Sequence, residues 1–281
     1  MSAKLVSHQY GKSRVRVMKI IRDGATHTVK ELDVAVALSG DFESSYLTDD
    51  NSKVVATDTM KNTVNALASQ HLGLETERFA TTLARHFLTK YPQVQTATVT
   101  ARERPWDRLT ISGTPHPHSF TGAQQAQPFT TVTAGRDAVS IQSGIADLLI
   151  LKSTGSGFEG FPRCEFTTLR ETADRIFATS LTATWTWSGE PADYTAANAA
   201  ILSAIIQPFA LNYSPSVQVT LFQMGEAALT AAPEIASIHL SMPNKHCLPL
   251  DLSPFGLENR NEMFVPTDEP HGLIEATIAR G

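Results

Sequence analysis

Hydrophobic periodicity changes in the same order twice along this chain: two alternating strands, two amphipathic helices, then strands again. That order is the narrowest constraint on its fold, because a period of two and a period of 3.6 cannot be satisfied by one element. In the first half, residues 14–21 (RVRVMKII) alternate, as do Leu32, Val34, Val36 and Leu38, with the turn signal RDGATH between them. The pattern predicts a long β-hairpin. Thr57 or Asp58 is placed to cap a helix carrying Met60, Val64, Leu67 and Ala68 on one face. A second helix over residues 75–89 carries Phe79, Leu83 and Phe87, and Pro92 closes it. Strands are expected at 94–102, 106–112 and 120–133.

After Gly135-Arg136-Asp137 the order returns. Strands are expected at 139–151 and 181–187, where Ala183, Trp185 and Trp187 alternate with threonines. A helix from about residue 193 carries Ile201, Ile205 and Phe209, with Pro208 ending or kinking it. Ser216 caps another with Val217, Leu221, Met224 and Ala228 on its face, stopped by Pro233. Strands at 235–242, 264–265 and 273–278 finish the chain. The expected class is α+β, in two domains over residues 1–136 and 137–281. A helix pair covers one face of each sheet, so an alternating apolar face is expected to stay bare. Joining sheet edges into a barrel, or oligomerising, would remove that liability. A homo-oligomer is expected.

With 42% hydrophobic and 18% charged residues, the 281-residue chain has the composition of a soluble globular protein. Its net charge of −5 argues against nucleic acid and acidic membrane surfaces as partners. The apolar run at 144–151 is interrupted by Asp147 and too short to span a bilayer. No apolar leader precedes residue 14, so nothing points to export. Cys164 and Cys247 form no CxxC and are expected as reduced thiols in a cytosolic protein. His116 and His118, around a proline, lack a third ligand nearby and are expected in a loop turn, not at a metal. No GxxxxGK[ST] phosphate-binding loop is present.

The most chemically loaded segment is 152–175, KSTGSGFEGFPRCEFTTLRETADR. A small-residue loop leads to Phe158, and a polar run with helical spacing leads to Arg175. An aromatic plate beside a guanidinium fork suits a flat, anionic, hydrogen-bonding heterocycle. The same residues also fit a surface loop in which Phe158 plugs a core and Arg175 makes an ordinary ion pair.

Six motifs then occur in order: YGKSRVRV at 10–17, VATDTMKNT at 55–63, PHPHSF at 115–120, LKSTGSGFEGF at 151–161, SVQ at 216–218 and SMPNKH at 241–246. Together they resemble urate oxidase (uricase), from about Gly11 to Ile278. The resemblance implies tandem T-fold domains, each a four-stranded antiparallel sheet backed by two helices. It also implies a homotetramer enclosing a β-barrel tunnel, with active sites between subunits. The implied reaction is oxidation of urate by O2 and water to 5-hydroxyisourate and H2O2, with no metal or organic cofactor.

By resemblance, Phe158 stacks on the purine and Arg175 pairs with its carboxamide-like edge. Gln218 and the Val217 backbone hold the opposite edge, and Asn244 with Thr57 holds O2 or water over the ring. Lys12, Thr57 and His246 match the family's catalytic positions, with Lys12, Thr57 and Asp58 reaching the site from a neighbouring subunit. The physical logic agrees. A helix start at Ser216 offers free amides and a positive dipole end to an anion. A threonine hydroxyl is a weak base, and a desolvated lysine amine can take its proton, with a histidine to orient that amine.

Some residues depart from the family pattern. Cys247 stands where an aromatic is common, Pro162 and Cys164 alter the loop after Phe158, and the chain stops at Gly281 without a peroxisomal SKL end. A cytoplasmic enzyme is expected. Two other readings share the fold: a zinc-dependent T-fold enzyme acting on pterins or purines, and a purine-binding paralogue without catalysis. The first wants a compact His/Cys set, and the second has no need of Lys12, Thr57, Asn244 and His246 together.

Overall fold

The computed structural model describes residues 3–123 and 126–281. The chain divides into two compact units. One comprises Met1–Gly144 with Glu190–Thr195, the other Ile145–Gly189 with Ala196–Gly281. The division falls after Gly144, past the Gly135-Arg136-Asp137 turn.

In the first unit, β1 (Tyr10–Asp23) and β2 (Thr26–Gly40) form the long hairpin, turning on Gly24 at φ 56°. β2 then pairs with β3 (Val94–Glu103), and β3 with β6 (Gln127–Ala134), all antiparallel. A four-residue helix, α1 (Ser44–Leu47), precedes the long pair α2 (Thr57–His71) and α3 (Thr76–Lys90). Leu32, Val34, Val36 and Leu38 on β2 meet Met60, Val64, Phe79, Leu83 and Phe87 in one core. Each fully buried Leu or Phe contributes about 1.5–3 kcal/mol. The helical stripes read from the sequence are therefore the faces that are buried.

Several expectations change here. The span 120–133 is two strands. β5 (Thr114–Gly122) pairs with β4 (Trp106–Ile111) in a separate ribbon, and β6 belongs to the main sheet. Positions 124 and 125 of that span lie outside the described residues. His116 and His118 sit on β5 instead of in a turn. Neither Thr57 nor Asp58 caps α2: Ala56 occupies the N-cap, without a side-chain hydrogen bond.

In the second unit, β7 (Val139–Lys152), whose first residues lie in the other unit, neighbours β8 (Phe177–Trp187). β8 pairs antiparallel with β9 (Ile235–Pro249), and β9 with β10 (Phe264–Ala279). The two short strands expected at 264–265 and 273–278 are one strand with a bulge between Thr267 and Gly272. α4 (Tyr194–Leu211) packs on β8 through Trp185 Nε1, which donates to Asn198 Oδ1 at 3.0 Å, and through Phe177 and Phe209, 5.0 Å apart. Pro208 neither ends α4 nor leaves its last turn open, because the Asn212 amide donates to the Pro208 carbonyl at 3.2 Å. α4 has 18 residues and mean hydropathy 1.3, long and apolar enough by composition to cross a bilayer. Its Ile201, Ile205 and Phe209 are nonetheless buried. α5 (Val217–Ala231) packs on β9 and β10.

Exposed apolar side chains remain at Met18 on β1 and at Leu149 and Leu151 on β7, but on three strands the sheet face away from the helices is polar instead of apolar. On β3 and β6 it carries threonines, joined as Thr98–Thr133 and Thr100–Thr131 at 3.2 Å each. On β8 it carries Ser180, Thr182, Thr184 and Thr186. Threonine keeps the β-branched fit to a pleated surface while its hydroxyl satisfies water or a cross-strand partner.

Candidate active site

Phe158 and Arg175 meet in the second unit, the guanidinium 5.4 Å from the ring centroid. No helix carries Arg175 there, contrary to the spacing; residues 159–176 are irregular. Backbone pairing does the holding instead. The Phe158 amide donates to the Thr172 carbonyl at 2.8 Å, the Thr172 amide donates to the Phe158 carbonyl at 3.2 Å, and the Arg175 amide donates to the Ser156 carbonyl at 2.7 Å. Phe158 also stacks on Phe161, with centroids 5.0 Å apart and planes 9° from parallel. Burial pushes the Arg175 guanidinium below its ordinary value, with the Tyr213 phenol acting the other way. Among the described residues no carboxylate pairs with Arg175. A part-buried cation without an internal counter-ion is suited to an anionic ligand.

The loop before Phe158 is stitched to the segment entering α5. Ser156 bridges Ser214 in parallel, with the Gly157 amide donating to the Ser214 carbonyl at 2.9 Å and the Ser214 amide to the Gly155 carbonyl at 2.9 Å. Lys152 reaches the same segment, donating to the Asn212 carbonyl at 2.8 Å and Ser214 Oγ at 2.7 Å. Thr220 Oγ1 donates to Ser214 Oγ at 2.6 Å, closing the junction onto the helix. Two residues beyond Ser214, Ser216 caps α5 as expected, its Oγ accepting the Val219 amide hydrogen at 3.2 Å. Val217 is buried and Gln218 exposed. As the first two helical residues, neither amide has an i−4 acceptor, so both remain free to bind.

Asn244 and His246 lie on β9 two residues apart, hence on one face. Asn244 opposes Thr179 of β8, the strand that follows Arg175. Both are half-buried, and Thr267 Oγ1 donates to the His246 carbonyl at 3.3 Å. Among the described residues, no hydrogen bond joins the side chains of Gln218, Asn244 or His246 to Phe158 or Arg175. The unit contains all of them, and backbone bonds join the residues before Phe158 to Ser214, four residues ahead of Gln218.

Lys12, Thr57 and Asp58 belong to the first unit. Lys12, half-buried, is the last paired residue before a bulge in β1, where Arg14 takes φ 57°. Thr57 opens α2 and is exposed. The Asp58 carboxylate is held below the usual range by Lys61, which donates to it, with a smaller pull from the Lys12 charge. Tyr10 joins the two segments, its phenolic oxygen accepting the Val55 amide hydrogen at 2.8 Å. Gly11 presses β1 onto β2, where a Cβ would stand 1.9 Å from the Val36 carbonyl oxygen.

Sequence reasoning passed over Tyr10, Gly157, Lys152, Tyr213 and Ser214 as site residues. Only the YGK and LKSTGSG motifs flagged their neighbourhoods. Among the described residues, no group of three or more His, Cys, Asp or Glu is placed to hold a metal. Cys164 is exposed and Cys247 half-buried, both as free thiols.

A sequence model of the uricase family matches residues 8–133 and 141–275. The chain is 43% identical to a uricase from Dictyostelium discoideum over 99% of this chain and 98% of that one. It is 41% identical to a uricase from Arthrobacter globiformis over 98% of this chain and 90% of that one. The crystal structure of uricase from Arthrobacter globiformis superposes with a TM-score of 0.94 at 40% identity, covering 100% of this chain and 96% of that one. An antiparallel-sheet α+β fold, a ring–guanidinium pair stitched to a helix start, and similarity along nearly its whole length lead to one conclusion: the chain belongs to the uricase family.

Proposed function

We propose that this chain is a urate oxidase, converting urate, O2 and water to 5-hydroxyisourate and H2O2. The observation that carries the reading is the Phe158–Arg175 pair, stitched through Ser156 and Ser214 to the open amides of α5, in a member of the uricase family. Phe158 stacks on the purine plane. Arg175 pairs with the carboxamide-like edge, worth about 2–4 kcal/mol when desolvated. The Val217 amide and Gln218 hold the opposite edge, and the dipole of α5 adds to the anion's stability.

The chemistry needs a proton removed from bound urate, leaving a dianion electron-rich enough to reduce O2. Thr57 receives that proton, Lys12 relays it, and His246 orients Lys12. Asn244, which can donate and accept without carrying charge, holds O2 and then water over the ring with Thr57. Asp58 supports the start of α2. Loss of H2O2 and addition of water at the same carbon complete the reaction, with the protein contributing position and deprotonation, and no cofactor.

The two halves of the residue set lie in separate units, which fits tandem T-fold domains over residues 1–136 and 137–281. In this reading four chains close their sheets into a β-barrel tunnel. Lys12, Thr57 and Asp58 of one copy serve the Phe158–Arg175 half of another, in the cytoplasm. The threonine-rich sheet faces suit the wet wall of such a tunnel. The test is to mix chelator-treated, flavin-free protein with urate and follow urate absorbance and peroxide. Peroxide appearing as urate is lost supports the proposal. Tight binding without turnover would favour a binding module, and turnover that fails only after chelation would favour a zinc enzyme.

A further inference from the structure

We infer that Tyr10 is a positioning residue for catalysis, its phenolic oxygen setting Thr57 at the level of Lys12 by holding the Val55 amide. This rests on the urate-oxidase reading above. Tyr10 opens β1 opposite Leu38, and its ring stands edge-on to the fully buried Phe42, with centroids 4.9 Å apart. The ring therefore has a fixed seat. Its oxygen accepts the Val55 N–H at 2.8 Å across 45 residues of sequence. Burial pushes the phenol up, so it stays protonated and neutral at ordinary pH.

The spacing on either side of that bond gives it a consequence. Lys12 is two residues beyond Tyr10, and Thr57 is two residues beyond Val55. On the strand side there is no slack, because Gly11 lies so close to β2 that a Cβ would overlap the Val36 carbonyl. On the helix side the N-cap Ala56 makes no side-chain hydrogen bond. Val55 is 4% exposed, so its amide has little access to water if the phenol is removed. The neighbouring loop is held further back, with Gln93 Nε2 donating to the Lys53 carbonyl at 2.7 Å and the Val54 amide to the Asn51 carbonyl at 3.0 Å. Between those anchors and Thr57, the Tyr10–Val55 bond is, among the described residues, the long-range hydrogen bond nearest the candidate catalytic threonine. Proton transfer is sensitive to sub-ångström misplacement of its partners.

Tyr10→Phe keeps the ring on Phe42 and removes only the oxygen. Steady-state kinetics with urate are expected to show kcat reduced about tenfold with KM within about twofold. Binding of xanthine, a purine-dione probe for the Phe158–Arg175 half, is expected to keep its Kd within about twofold. In a Thr57→Ala background, Tyr10→Phe is expected to lower kcat by less than about threefold, because the bond acts through that residue. An unchanged kcat overturns the inference. So does an equal loss in both backgrounds, which would mark general structural damage, or a loss in KM and xanthine affinity alone. A wild-type protein that consumes no urate sinks both this inference and the functional reading. Wild-type turnover with an indifferent Tyr10→Phe sinks this inference alone.

Discussion

Replacing Gly157 with alanine places a methyl group where three oxygen atoms already stand. Its Cβ would lie 2.2 Å from the Tyr213 hydroxyl, 2.9 Å from the Thr172 carbonyl oxygen and 3.2 Å from that of Ala173. The hydroxyl can swing away, but only by giving up its 2.9 Å hydrogen bond to the Ala173 carbonyl. That loss costs about 0.5–1.5 kcal/mol. The two carbonyls belong to the segment pairing with Phe158, so relieving the rest moves backbone at the site, at about 1–3 kcal/mol. The expected destabilisation is about 2–4 kcal/mol, read as a lower urea midpoint at unchanged slope. Because the displaced residue is the proposed stacking plate, a loop shift equivalent to about 1.4 kcal/mol should raise KM for urate about tenfold. The kcat should change less, since the groups proposed to move protons lie elsewhere. Adding Tyr213→Phe removes the closest of the three contacts and should restore part of both stability and KM. A Gly157→Ala protein within about 0.5 kcal/mol of wild type, with unchanged KM, would refute the steric reasoning.

Lys12→Met and Thr57→Ala should each lower kcat by about 10²–10⁴-fold, with xanthine affinity little changed when followed by equilibrium titration. Arg175→Ala removes the charge pairing proposed for the ground state, so KM should rise by about 30-fold or more, with kcat less affected, in the same steady-state assay. Lys152→Met leaves the Asn212 carbonyl and Ser214 Oγ without their shared donor. Denaturant melts should show a loss of about 1–3 kcal/mol, and kinetics a several-fold rise in KM as the Phe158 loop loosens from the α5 segment.

Much of this protein is written locally. Phe79, Leu83 and Phe87 repeat at helical spacing, and Leu32 to Leu38 alternate, because each pattern states which face a residue shows to a core. The same locality explains why Ser216 was legible as a cap: its hydroxyl bonds an amide three residues away. Phe158, Arg175, Gln218 and Asn244 could be named from the sequence only as a set of motifs in a familiar order. Local rules also misled. Polar spacing before Arg175 suggested a helix, but antiparallel pairing of Phe158 with Thr172 takes those backbone groups instead. Thr57 and Asp58 have the chemistry of a cap, yet Ala56 takes the position. On β3, β6 and β8 threonines make up the face opposite the helices, where an apolar face is expected from the sequence.

What the sequence by itself determined is the order of elements, the faces they bury and the residue types available for anion binding and proton transfer. Tertiary structure alone decided which of those residues are held, and by what. The Tyr10–Val55 bond spans 45 positions, Lys152 reaches Ser214 across 62, and Gly11 and Gly157 are required by oxygens of residues remote in sequence. Periodicity records the surroundings of one element, whereas a hydrogen bond or steric limit between distant segments exists only after the chain has closed on itself.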